Sequence, residues 1–337
     1  MIKKFFVLIS LFLLSIPVFS QTKKEPKYVF RIASEVPAGT LWHNALMAIN
    51  KELAVKTNGE VRLQVFAGGV MGDQSSVINK ILIGQLDGAT FSNTGMQLVN
   101  HDFGIVGFPL IMRSDKEYDY MIEQVGNEFV KKFKELGYSH LCWTETGPIY
   151  IYSKKSIASE EDIRNAKAFV LQGDKITEML FKEIKATPIP VQTSDILTSL
   201  KTGQIDTVFS PPYGLIAMQW HSSISYVTDF PMTFMLGSIM VNNKLFDSMP
   251  KEYQAIMSEL FKTHFEKLKT KIRQDNVAAQ EILRQNGVQS ITVSVANQNK
   301  FFEVCRSANE KLITQYGYSR DLYNRIYKMM EEFRKKK

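Results

Sequence analysis

Two cysteines and five histidines in 337 residues leave little material for a metal cluster or a disulfide framework. Cys142 in His140-Leu141-Cys142-Trp143 and Cys305 in a helical run read as two separate buried thiols, although export would permit them to pair. No Gly-x-Ser-x-Gly nucleophile elbow occurs, and no Gly-x-x-x-x-Gly-Lys phosphate loop. Gly68-Gly69-Val70-Met71-Gly72 lacks nucleotide-loop spacing and reads as a tight turn. His43, His101, His140, His221 and His264 have no partners at metal-ligand spacing. Asp115, Glu117 and Asp119 lack the glycine and terminal glutamate of a calcium loop, and read as a solvated helix start. Charge is equally unspecific: +7 over the chain does not make a nucleic-acid binder, and Lys335-Lys336-Lys337 reads as a solvated tail. These absences point away from a catalyst.

The one strongly apolar run is N-terminal. Lys3 and Lys4 precede Phe5 to Ile16, followed by Pro17-Val18-Phe19-Ser20. The run is shorter than the ~20 residues a spanning helix needs, so residues 1–20 read as a cleavable signal peptide. Cleavage removes two lysines, takes the charge from +7 to +5, and places the mature chain in the periplasm.

Length and patterning of the remainder predict two α/β domains. Tyr28 to Ser34, Val61 to Phe66 and Ala89 to Ser92 read as strands, with helices over Leu41 to Thr57 and Gln74 to Ile83 between them. This β-α-β-α-β order predicts a parallel sheet. A helix follows near Asp115 to Leu136. The pattern then restarts with strands at Ser139 to Thr144, Ile149 to Ser153, Ala168 to Leu171, Thr187 to Val191 and Ile205 to Ser210. Helices separate the later ones. Lys251 to Asn286 contains neither Pro nor Gly, and as one helix would run about 54 Å. That exceeds a single ~100-residue lobe, whose radius of gyration is about 13 Å.

Thr57-Asn58-Gly59-Glu60-Val61, Met71-Gly72-Asp73 and Gly84-Gln85-Leu86-Asp87-Gly88 come first in a longer series. Asp162-Ile163-Arg164-Asn165-Ala166-Lys167, Ala186-Thr187-Pro188-Ile189-Pro190-Val191, Leu200-Lys201-Thr202-Gly203-Gln204-Ile205-Asp206 and Met249-Pro250-Lys251-Glu252-Tyr253-Gln254 complete it. In this order the chain resembles the DctP-type extracytoplasmic solute-binding proteins of TRAP transporters, over almost all its mature length. The resemblance implies a two-lobed periplasmic-binding-protein-like α/β fold (type II-like), with the long helix spanning both lobes. Lobe I is expected over 27–146 plus 236–275, and lobe II over 147–235 plus 276–337. It also implies capture of a small molecule and its delivery to TRAP membrane permease subunits, without a cofactor. A sensing role for a membrane receptor and a periplasmic TPR-type partner are further expectations of the same kind.

Such families hold an organic acid through an Arg in the strand equivalent to Ala166-Lys167-Ala168-Phe169-Val170, where a guanidinium suits a carboxylate. Here Phe169 stands at that position. Ile149 stands where some members place a second Arg, and Phe209 and Ser210 stand at polar contact positions. A buried carboxylate without a cation costs several kcal/mol, whereas these side chains reward apolar area. The expected ligand is therefore hydrophobic or amphipathic, in an atypical subgroup lacking the clamp. Tyr213, Phe91, Trp42 and Trp220 are further wall candidates. Glu35, Asn93, Gln172, Ser92 and His43 are candidate polar contacts. The alternative is an ordinary organic acid held by another polar site.

Overall fold

The computed structural model describes residues 25–171 and 173–336. The predicted signal peptide and Gln172 lie outside them. In the first half, β1 (Tyr28–Ala33), α1 (Leu41–Lys56), β2 (Val61–Phe66), α2 (Gln74–Leu82) and β3 (Gly88–Ser92) follow the predicted order. Hydrogen-bonding side chains set the helix starts: Thr40 accepts from the His43 amide, and Asp73 from the Ser76 amide at 2.7 Å. α3 (Asn93–Val99) and α4 (Asp115–Glu135) lead into β4 (Tyr138–Ser153).

The second half holds α5 (Glu160–Arg164), β5 (Phe169–Val170), α6 (Lys175–Ile184), β6 (Ile189–Pro190), α7 (Ile196–Thr202), β7 (Thr207–Ser210) and α8 (Pro212–Ala217). β8 (Tyr226–Thr228), β9 (Thr233–Asn242), α9 (Asn243–Ser248), α10 (Lys251–Gln285), β10 (Gln289–Ile291), α11 (Val295–Tyr316) and α12 (Arg320–Lys335) complete the chain.

Eight strands form one sheet in the order β10-β8-β4-β9-β3-β1-β2, with β7 also pairing β4. β1, β2 and β3 are parallel, as predicted, but β9 runs antiparallel to both β3 and β4. The sheet is therefore mixed rather than parallel. The strands read separately at Ser139 to Thr144 and Ile149 to Ser153 are one strand, because the Pro/Gly interruption is absorbed as a bulge. The register against β9 shifts between Glu145 and Gly147, and again between His140 and Cys142. Gly147 takes φ +103°, and a Cβ there would lie 2.4 Å from Asn276 Nδ2. In the second half, β5 and β6 form only a two-residue parallel pair.

One apolar core lies beneath α2, α3, α4 and α12, and another beneath α1 and α10, on opposite faces of the β1–β3 sheet. A third gathers around Tyr152, Ile196, Leu200, Leu215 and Trp220. Cys142 and Cys305 are unpaired buried thiols in different cores. The acidic trio is not simply solvated: Glu117 is buried against Arg334 at 2.8 Å, while Asp115 and Asp119 face Arg273. An α4 that packs on both the C-terminal helix and α10 draws these carboxylates into ion pairs.

Candidate functional site

In an open sheet with parallel strands, ligands bind beyond the carboxyl ends where strand order reverses. β1 lies between β2 and β3, so that point falls at Ser34, Glu35 and the start of α3. A notch of about 10 Å³, roughly one water, opens there, lined by Ser34, Glu35, Met71, Gln74 and Thr90 among others. Gly68 and Gly69 both adopt positive φ, and their amides donate to the Val36 and Ser34 carbonyls at 3.0 Å. The glycine run is thus the predicted tight turn, and it fixes one wall of the notch. Thr90 Oγ1 donates to Ser34 Oγ at 3.2 Å.

Glu35 is exposed at the notch mouth yet walled by protein on several sides. That partial desolvation raises its carboxyl above the ordinary range; Gln74 opposes the shift by hydrogen bonding, and Asp73 adds to it. Asn93 is half-buried at the start of α3, its amide packed against Gly107, and its Oδ1 is buried without a partner. Gln74, Ser34 and Thr90 were not singled out from sequence. Ser34 follows β1 directly, and that strand end was the available signal; Thr90 lies within β3 and Gln74 opens α2.

The aromatic candidates divide. Phe169 and Phe209 come together with ring centroids 6.1 Å apart, and Trp220 closes edge-on to Phe169 at 6.3 Å. Phe181 meets Phe209 at 5.9 Å. Phe169 is only 6% exposed, and the half-buried Phe209 packs against two cores, so most of this cluster lies inside the protein. Ser210 is buried beside it, and the Tyr213 amide donates to Asn276 Oδ1 at 3.0 Å. Ile149 is buried in β4 opposite Thr233. Phe91 is buried against Tyr138 in the first core, and Trp42 packs edge-on to Phe265 beneath α10. Those two rings belong to cores of β1–β3 and do not join the Phe169 group. Arg164 bonds the Ile184 carbonyl and Glu160, which occupies it away from any clamp role.

Asn276 of α10 joins the two halves: its Nδ2 donates to the Thr146 carbonyl at 2.9 Å, while its Oδ1 accepts from Tyr213. Among the described residues, no His, Cys, Asp and Glu group is arranged to hold a metal ion.

The chain resembles known proteins along most of its length. A periplasmic TRAP solute-binding protein of Pseudomonas putida F1, solved with bound D-glucuronate, superposes with a TM-score of 0.78. The two are 24% identical, over 88% of this chain and 96% of that one. The sugar-acid-binding protein DctPAm of Advenella mimigardefordensis, solved with galactonate, gives 0.82 at 18% identity, over 92% and 99%. A 2,3-diketo-L-gulonate-binding periplasmic protein of Escherichia coli is 21% identical over 251 residues, 73% of this chain and 75% of its own. The two-lobed periplasmic-binding-protein fold follows from these superpositions. The DctP family profile matches residues 32–315, and the chain accordingly belongs to the bacterial extracellular solute-binding proteins of family 7.

Proposed function

We propose that this protein captures a hydrophobic or amphipathic solute between its lobes and delivers it to a TRAP-type membrane permease, in a subgroup without the carboxylate-clamping Arg. The observation that carries the ligand class is the Phe169–Phe209–Trp220 cluster at the place where the family resemblance expects that Arg. Burying apolar ligand area against Phe209 is worth about 25 cal/mol per Å². The notch beyond β1 presents the carboxylate of Glu35, which favours a donor-bearing head group over an anionic one. An acid there meets like charge instead of a cation.

The proposed lobes are 27–146 plus 236–275 and 147–235 plus 276–337, with α12 reaching back onto α4 of the first lobe. Ile149, Ser210 and Tyr213 belong to the second lobe's wall; Phe91 and Trp42 support the first from behind. No observation supports a TPR-type partner. Sugar acids bound by solved relatives favour the rival reading, an organic acid held by a different polar set. Native mass spectrometry of the freshly purified mature protein separates the two. A co-purified lipid-like or aromatic mass is expected, and recovery of a uronate or aldonate would overturn the apolar assignment.

A further inference from the structure

From Tyr138 to Ile149, β4 pairs on one side with β9, an edge that β8 continues at Tyr152 and Ser153, whereas β7 joins the other side only from Tyr150 onward. Among the described residues, the outer edge of that first stretch has no strand partner. The bulge at Leu141 turns Leu141 and Cys142 into the core beneath α10, while Trp143 packs into the opposite core beneath α4. A trough of about 600 Å³ follows the strand here. Its floor is His140 to Trp143, and its walls include Ile122 and Glu123 of α4 and Ala255 and Glu259 of α10. Because the walls come from helices on opposite faces of the sheet, the trough runs along the strand edge.

One end of the trough is closed. Tyr118 Oη donates to the Thr144 carbonyl at 3.4 Å, and Asn276 caps Thr146. Beyond that point Lys269 and Arg273 of α10 reach Asp119 of α4, at 3.6 and 2.8 Å. Residues 139–143 have no comparable side-chain cap among the described residues. Unpaired edges usually carry inward charges or are covered, since their amides and carbonyls form a template for another chain. Here the edge is recessed between two helices but stays open. The lining also has the opposite sign to the molecule: Asp119, Glu123, Glu259 and Glu266 face Lys262 and Lys269, in a chain of +7. Asp119, Glu266 and Lys269 are spent on one another, leaving Glu123 and Glu259 against Lys262.

We propose that this trough receives an extended, positively charged segment of another polypeptide, which pairs with the free edge of β4 as an added strand. A row of main-chain donors and acceptors is what an extended backbone matches, and flanking pockets then choose side chains. Five extended residues span about 17 Å, enough to cover residues 139–143. Neither the notch at Glu35 nor the Phe169 cluster lines the trough, so the site is separate from solute capture.

The test titrates the mature protein into a fluorescein-labelled alternating Lys-Val heptapeptide, followed by fluorescence anisotropy. Saturable binding is expected with Kd on the order of 100 μM, reduced roughly tenfold or more by Ala255→Trp, which fills the trough from an exposed position. The Glu123→Lys/Glu259→Lys pair should weaken it similarly, and an alternating Glu-Val peptide should not bind. Hydrogen exchange should slow at those amides of 139–143 that point away from β9. Circular dichroism and melting confirm that both variants fold. Absence of saturation at 1 mM overturns the proposal, as does unchanged affinity in both variants, equal binding of the acidic peptide, or protection that appears only at the interlobe cleft.

Discussion

His140 shows how much one side chain's surroundings decide. Its ring lies 4.4 Å from Trp143, its Nε2 is shielded without a hydrogen-bond partner, and burial lowers its pKa from 6.5 to about 3. The unfolded chain therefore binds the proton first. The contribution to stability is complete above pH 6.5 and is lost as pH falls towards 3. His140→Phe should remove about 1–2 kcal/mol of the acid-induced loss at pH 5, read from urea midpoints at pH 7 and pH 5. Phe169 behaves differently. With 6% exposure and two ring neighbours, Phe169→Ala should cost about 3–5 kcal/mol in urea denaturation. The same variant should weaken an apolar ligand if the ring supports the wall through Phe209; unchanged affinity would place it in the core alone. Sequence reasoning set Phe169 and Phe209 at expected ligand-contact positions; in the structure their ring centroids lie 6.1 Å apart. It could not see that Phe91 and Trp42 serve other cores, because burial of a ring depends on which helix covers its face.

At the scale of elements, α10 was legible as one uninterrupted helix, since nothing between Lys251 and Gln285 breaks the backbone. Its half-apolar stripe was also visible in Met257, Leu260, Phe261, Phe265 and Leu268, all buried. What α10 does beyond packing was not. Arg273 clamps the fully shielded carboxylate of Glu145 at 2.6 Å where β4 bends, and burial pushes that carboxyl up against the pull of Arg273. Arg273→Met leaves a buried charge unpaired and should cost about 3–5 kcal/mol. Adding Glu145→Gln should return more than half of that, a recovery that a double-mutant cycle in denaturant measures. β9 escaped sequence reading altogether. Its Gly237-Ser238-Ile239-Met240-Val241 segment carries no clean alternation, because every residue in it is buried.

For the whole molecule, Asn276 of α10 ties β4 at Thr146 to α8 at Tyr213. Capture between lobes implies an open–closed equilibrium that a ligand shifts by its preference for the closed form. Small-angle scattering should show the radius of gyration fall when the co-purified ligand is restored to stripped protein. An unchanged radius would argue against capture by closure. The same addition, at 100 times Kd, should raise unfolding stability by about 2.7 kcal/mol in thermal or urea melts.

The sequence alone determined the β-α-β-α-β order of the first half, the tight turn at Gly68-Gly69, the long helix and the family, because each is written in local backbone preference or in short segments kept in order. Tertiary structure decided that the sheet is mixed, that β4 is one bent strand with a half-open edge, and that Glu145, Asn276 and His140 acquire buried neighbours. These outcomes depend on pairings between residues far apart in sequence, 63 positions for Tyr213 with Asn276 and 128 for Arg273 with Glu145. No local pattern encodes them, since their free energy appears only once both segments have left water together.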